Sequence, residues 1–283
     1  MNLLKKRKNL KIGLALSGGG ARGFTHLGAI KAFEEFGLKF DFVSGTSAGS
    51  IVGALYCAGL SFDEMFNLAR KLDTKDIRSN KFMFIPSKTD KLENLIISIL
   101  GDINIEDLKI PLAITAVDLK STNEICFTKG NLAKAVASSC AVPAVFQPVE
   151  HNNRLLCDGG LKNTLPADVP KIFGCDYVVG VDVNKSRLYG TDSPKLLDVL
   201  SCSLRILMES NVVKGYEHSD IILKPETKRF KSTTNEGFLD MIEEGYREAI
   251  NKMPEILKLF NKKPIMKFKK KKFLDGLDKP VIE

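Results

Sequence analysis

The sequence predicts an α/β protein in three layers, with a mainly parallel central sheet held between helices. Three observations predict it. Short apolar runs of strand length recur at 10–16, 40–44, 111–117, 125–128, 176–183 and 220–223. Segments with apolar residues at helical spacing fall between several of them. Glycine-rich turns follow directly on the first two runs, as strand-turn-helix units require. Runs that are apolar throughout, rather than alternating, suit strands covered on both faces, which is the condition of a parallel sheet.

The elements follow in order. The strand at 10–16 leads through a glycine turn into a helix with Phe24, Leu27, Ile30 and Phe33 on one face, ended by Gly37. The strand at 40–44 leads through a second turn into a helix at 48–58, with Gly59 as its cap. Ser61 and Glu64 make a capping-box signature for a helix reaching about Leu72. The stretch 73–109 is less regular, with an amphipathic segment at 92–100, and reads as a mobile cover. After the strands at 111–117 and 125–128, a short helix at 132–139 stops before Pro143. Ser193 and Pro194 are placed as the N-cap and first residue of a long helix. Residues 220–223 are expected to be the last strand, with helices at 236–250 and 255–260 closing a single domain over 8–260. Residues 261–283 break in composition and form a basic C-terminal tail.

Composition narrows the function. The 283 residues are 44% hydrophobic and 27% charged, ordinary globular values. The formal net charge of +8 is concentrated at the ends: five cations within 1–11 and seven lysines within 262–272, with no acid in either stretch. Without these twelve charges the remainder carries −4, so the basicity does not line a groove in the body, and nucleic acid is not the expected partner. Peripheral contact with an anionic membrane through the two ends is the partner expectation they carry. The apolar run 12–16 is too short for a signal-peptide core, and the uncharged stretch 42–62 is interrupted by Gly, Ser and Thr at 44–50, so a cytoplasmic protein, peripheral at the membrane, is expected. The six cysteines form no C-x-x-C pair and have no histidines at zinc spacing, which points to buried free thiols and to no metal.

Three motifs carry chemistry. Gly45-Thr46-Ser47-Ala48-Gly49 is a G-x-S-x-G between strand and helix. A serine hydroxyl is a poor nucleophile unless it stands proud on a strained turn, near a base and oxyanion donors, and flanking glycines leave room for such a turn. Ser17-Gly18-Gly19-Gly20-Ala21-Arg22-Gly23 lies between the first strand and first helix, where loop amides and a helix N-terminus converge on an anion. Gly18, Gly20 and Gly23 also satisfy a dinucleotide fingerprint with Asp41 as the ribose acid, but Asp41 opens the next strand instead of closing it. The elbow at the end of that strand favours the oxyanion reading, with Gly18, Gly19, Gly20, Ala21, Arg22 and Ala48 as donors. The third motif, Asp158-Gly159-Gly160, follows Leu155-Leu156-Cys157. It reads either as a carboxylate free to approach another loop or as an Asp-Gly hairpin turn. Of His26, His151 and His218, only the last follows the Ser, Asp, His chain order of a triad, and its surroundings do not resemble a catalytic loop. An aspartate in a water-poor site has the raised basicity needed to accept the Ser47 proton directly.

Together, in this order, the three motifs resemble the patatin-like phospholipase family. The first glycine segment corresponds to its oxyanion loop, residues 45–49 to its nucleophile elbow and Asp158-Gly159-Gly160 to its catalytic Asp-Gly-Gly. Residues 137–146 are similar to the segment before that aspartate in bacterial members. The resemblance spans about 10–250 and implies a patatin-like fold, a dyad of Ser47 and Asp158, a covalent acyl-enzyme, lipid acyl ester substrates, and no cofactor or calcium. The glycines 18–20, 23, 45, 49, 159 and 160 are then the motif glycines. Two enzymatic rivals, a carboxylesterase and a thioesterase acting on soluble acyl esters, would use the same residues. A nucleotide-binding regulator and a catalytically idle lipid-binding protein are the readings from other classes.

Overall fold

A computed structural model describes residues 10–71, 88–184, 193–261 and 280–283. Strands β1 (Ile12–Leu16), β2 (Phe42–Thr46), β3 (Leu112–Asp118), β7 (Tyr177–Val181) and β8 (Ile221–Leu223) form a parallel core in the order β3-β2-β1-β7-β8. The first four are buried at every position, as their unbroken apolar character requires. Antiparallel pairing extends the sheet through β4 (Glu124–Phe127), β5 (Val149–His151) and β6 (Arg154–Asp158). Helices cover it: α1 (Phe24–Glu35), α2 (Ala48–Ala58), α3 (Phe62–Lys71), α4 (Asp90–Leu100), α5 (Leu132–Ser139), α6 (Asp168–Ile172), α7 (Leu196–Ser210), α8 (Val212–His218) and α9 (Phe238–Phe260). The mixed, mostly parallel sheet between helices is the architecture expected from the sequence. No helix among the described residues is long and apolar enough to cross a membrane. All six cysteines are buried and none forms a disulfide.

One arrangement positions the site. On β3, residues 112–115 pair with β2, 114–117 with β4 and 116–118 with β6. Because the β4 span overlaps both others, β4 occupies one edge of β3, and β2 and β6 share the other. They run toward each other along that edge and their C-terminal ends meet, with Thr46 opposite Thr115 and Asp158 opposite Ala116.

Several local expectations are corrected. The polar segment 150–154, assigned no element above, is a hairpin: Asn152 and Asn153 both have positive φ, 47° and 60°, and join β5 to β6. Asp158-Gly159 is therefore not the hairpin turn. The two helices expected at 236–250 and 255–260 are one, α9, which runs through Pro254. Pro254 is exposed, so the backbone bond it cannot make lies toward water, while Met253, Ile256 and Leu259 continue the buried face. α7 begins at Leu196, two residues beyond the expected proline start. Residues 220–223 do not hold the last strand, because β9 (Val281–Ile282) adds parallel to β4. Of the expected cover, 73–87 lie outside the described residues. The remainder is packed: Leu92, Ile96 and Ile105 are in the core, and Glu93 pairs with Lys134 of α5. The capping box of α3 forms, with the Ser61 N–H donating to Glu64 Oε2 at 2.8 Å. Residues 1–9 and 262–279, which hold nearly all of the basic ends, lie outside the described residues.

Candidate active site

The site lies past the C-terminal ends of β1, β2 and β6. Ser47 stands between β2 and α2 with φ 50° and ψ −122°, a conformation that a residue with a side chain adopts only under constraint. The constraint is backbone packing. A Cβ on Gly49 would fall 2.2 Å from the Leu16 carbonyl oxygen, and one on Gly45 2.5 Å from that of Gly49. Only glycine lets the turn close so tightly against β1. The Ser50 hydroxyl donates to the Ser47 carbonyl at 2.6 Å and the Ser47 N–H donates to Ser139 Oγ at 2.8 Å, fixing the turn from both sides.

Asp158 is fully buried at the end of β6. Its Oδ1 accepts from the Gly160 N–H at 2.8 Å, and its own N–H donates to the Ala141 carbonyl at 3.0 Å. Ser139 and Ala141 thus tie Ser47 and Asp158 to one short segment, the 137–146 stretch singled out in the sequence. Burial pushes the Asp158 carboxyl up to about 6, against the Ser47 hydroxyl and the Gly160 N–H, which pull it down. The Ser47 contact is looser than a formed hydrogen bond, since Asp158 Oδ2 is buried without a hydrogen-bond partner among the described residues. That leaves one carboxylate oxygen, Oδ2, with an open lone pair.

The glycine loop lies against Ser47: a Cβ on Gly18 would come within 3.3 Å of Ser47 Cβ. Its peptides are held individually. The Gly18 N–H donates to the Thr164 carbonyl at 3.0 Å, the Ala21 N–H to that of Ser232 at 2.8 Å and the Arg22 N–H to that of Gly19 at 3.3 Å. These three donors are occupied. The N–H groups of Gly19, Gly20 and Ala48 donate to no acceptor among the described residues, so the set available to an anion is narrower than the six expected donors. Arg22 is buried and its Nε donates to the Phe230 carbonyl at 3.0 Å.

The histidines are elsewhere engaged. His26 Nε2 donates to the Ser17 carbonyl at 2.9 Å, and burial, only partly opposed by that bond, lowers its pKa to about 4, so the ring is neutral. His151 sits edge-on to Phe127 in β5. His218 Nδ1 donates to the Lys214 carbonyl at the end of α8, which leads into the N-terminal end of β8, away from the site. Asp41, the ribose acid of the nucleotide alternative, caps β1 by accepting from the Ile12 N–H at 2.6 Å, also at the opposite end of the sheet from the glycine loop.

Sequence reasoning missed the polar layer below Ser47 and Asp158. The Thr46 hydroxyl donates to the Asn163 carbonyl at 2.8 Å and lies 2.7 Å from the Thr115 hydroxyl. The Asn163 amide donates to Glu124 and Asp168, each at 2.8 Å, and Lys214 pairs with both acids, at 3.2 and 2.7 Å. Burial raises Glu124, helped by Asp168 and opposed by Lys214; burial also works against the Lys214 charge, but the two acids outweigh it and hold that lysine above its usual value. Beside the site, α7 is attached to the Asp-Gly-Gly turn: the Thr164 hydroxyl donates to the Met208 carbonyl and the Asn211 amide to that of Leu161 at 2.7 Å. Leu196, Val199, Leu200, Ile206 and Leu207 of that helix are exposed. No group of residues able to hold a metal occurs among the described residues.

A family model described as patatin-like phospholipase matches residues 14–171. An uncharacterized NTE family protein of Mycobacterium tuberculosis is 33% identical over 184 residues, 62% of this chain and 50% of its own. Neuropathy target esterase sws of Drosophila melanogaster is 33% identical over 183 residues, 61% of this chain and 13% of its own. Lysophospholipase NTE1 of Eremothecium gossypii is 32% identical over 179 residues, 61% and 12%. The matched region is thus half of the mycobacterial relative and about an eighth of the other two. Among solved structures, VipD from Legionella pneumophila superposes with a TM-score of 0.59 at 15% identity, covering 87% of this chain and 67% of that one. Human GIVD cytosolic phospholipase A2 superposes with 0.50 at 12% identity, covering 91% and 59%. These two likenesses speak to the fold.

Proposed function

The chain belongs to the patatin-like phospholipase family, and on that footing we propose that it hydrolyses fatty acyl esters of phospholipids or related lipids through Ser47 and Asp158. The observation that carries the reading is a strained serine facing a fully buried carboxylate whose pKa is raised toward neutrality. Ser47 Oγ attacks the acyl carbonyl while Asp158 Oδ2 accepts its proton. The N–H groups of Gly19, Gly20 and Ala48 receive the oxyanion, and the buried Arg22 adds positive charge behind the loop. Collapse breaks the ester bond, the Asp158 proton goes to the leaving alcohol, and an acyl-enzyme remains on Ser47. Water then attacks the acyl carbon with Asp158 as base, the oxygen of Ser47 takes back the proton, and the fatty acid leaves.

Lipid esters are favoured over soluble ones by the exposed apolar side chains of α7 beside the site and by the lysophospholipase relative. Activity-based labelling by a fluorophosphonate, paired with hydrolysis of p-nitrophenyl esters of short and long acyl chains, tests both levels. Ser47→Ala should remove the label and lower turnover by several orders of magnitude. Retained turnover in that variant refutes the dyad, and a preference for the shortest acyl chain would favour the soluble-ester reading.

A further inference from the structure

We propose that Asn184 is the positioning residue of the oxyanion loop, turning the Gly18–Gly19 peptide so that the Gly19 N–H faces the reacting centre. The Asn184 amide nitrogen donates to the Gly18 carbonyl at 2.7 Å. Every peptide here is trans, so an N–H points away from the carbonyl of the same peptide. Holding the Gly18 carbonyl outward on Asn184 therefore orients the Gly19 N–H the other way. The peptides on either side are held by other bonds: Ser17 O by His26, the Gly18 N–H by Thr164 O, and Gly19 O by the Arg22 N–H. The orientation of the Gly18–Gly19 peptide depends on Asn184.

Asn184 is in turn fixed. Asp182, almost fully buried at the end of β7, accepts on Oδ1 from both the Asn184 N–H at 2.9 Å and its side-chain amide at 3.3 Å. Asp182 Oδ2 accepts from the Tyr216 hydroxyl of α8 at 2.5 Å. A chain of four groups thus runs from α8 to the oxyanion donor. Glycine loops are conformationally permissive, so a loop with three consecutive glycines needs such an external hold to keep a donor in place before substrate arrives.

The inference rests on the dyad reading, so the test carries Ser47→Ala in parallel with Asn184→Ala and the near-isosteric Asn184→Asp, on p-nitrophenyl butyrate. Both Asn184 variants should lower kcat at least tenfold with KM within about twofold, because the lost interaction is made in the transition state; a whole donor is worth roughly 10²–10³. Asn184→Asp should be the worse, since a carboxylate repels the Gly18 carbonyl and favours the flipped peptide. Fluorophosphonate labelling should slow in proportion. A kcat within twofold of the parent in either folded variant, or a rise in KM alone, overturns the proposal. If neither Asn184 variant folds, Tyr216→Phe decides: a several-fold fall in kcat at constant KM supports it and an unchanged kcat overturns it. An active Ser47→Ala would sink the dyad itself, whereas an inactive Ser47→Ala beside fully active Asn184 variants would sink only this inference.

Discussion

Thr46 and Asp158 occupy successive positions on one edge of β3, Thr46 opposite Thr115 and Asp158 opposite Ala116. The residue after Thr46 is Ser47, so a sheet ladder sets the distance between Ser47 and Asp158. Gly159 is where that ladder is tightest, because a Cβ there would lie 2.5 Å from both the carbonyl and the hydroxyl oxygens of Thr115. Gly159→Ala is expected to displace Asp158 from the serine and to destabilise the fold by about 1–3 kcal/mol. Denaturant unfolding and turnover measure the two effects, and a variant with parental values of both would contradict the arrangement.

Asp158 predicts the pH dependence. Its carboxyl must be ionised to act as a base, so kcat/KM should rise with pH through about 6 and level off above it. Stability runs the other way. The native value lies above the ordinary 3.8, so between 3.8 and about 6 the folded protein holds more protons than the unfolded chain. Stability is therefore lost as pH rises through that window. Asp158→Asn should be inactive yet more stable at pH 7, by about 3 kcal/mol at most. A parallel set of melting curves at pH 4 and pH 7 should show the gain only at the higher pH.

Ser47 separates strain from chemistry. Ser47→Ala and Ser47→Gly both lack the nucleophile, but only glycine relaxes at φ 50°, ψ −122°. Relief of such a conformation is worth about 1–3 kcal/mol, so the glycine variant should melt clearly above the alanine one. Equal melting temperatures would show that the elbow is not under strain.

Lys214 is expected to matter although it never reaches the substrate. Its removal leaves Glu124 and Asp168 with no cation partner among the described residues. Breaking a buried pair in this way costs about 3–5 kcal/mol. Lys214→Met should lose stability on that scale near neutral pH and recover part of it in acid, where Glu124, raised by burial, is protonated. An unchanged melting temperature at pH 7 would remove the network from the fold's support.

The basic ends test membrane attachment. Each lysine near an anionic bilayer contributes roughly 1 kcal/mol, so replacing the seven lysines within 262–272 by Gln should weaken sedimentation with anionic vesicles and reduce its salt sensitivity. Substitution is preferable to truncation at Asn261, which would also remove β9 from the edge of β4. Equal binding by both proteins would assign the lysines to solubility alone.

The legible parts of the site were those written in contiguous residues. The elbow, the glycine loop and Asp158-Gly159-Gly160 each carry their conformational requirements within a few positions, so the sequence exposes them. The shared edge of β3 does not, because it depends on the registers of three strands far apart in the chain. Asn163 and Asn184 are single polar residues after a turn and a strand, and only the fold reveals what their amides meet. Pro254 misled in the opposite sense, since a local helix-breaking rule yields where burial of Met253, Ile256 and Leu259 holds the turn together. β9 has two strand residues and so no periodicity to read.

The six buried thiols give the protein an internal clock for its own opening. Burial holds the sulfurs of Cys57, Cys126 and Cys140 well above their usual range and that of Cys157 at about 12, with nearby carboxylates adding to the last three. At these four cysteines a thiol reagent in neutral solution meets neither surface nor thiolate until the chain around them comes apart. Because Cys57 lies on α2, Cys126 on β4, Cys157 on β6 and Cys202 on α7, the order in which they are modified would trace which layer of the molecule yields first.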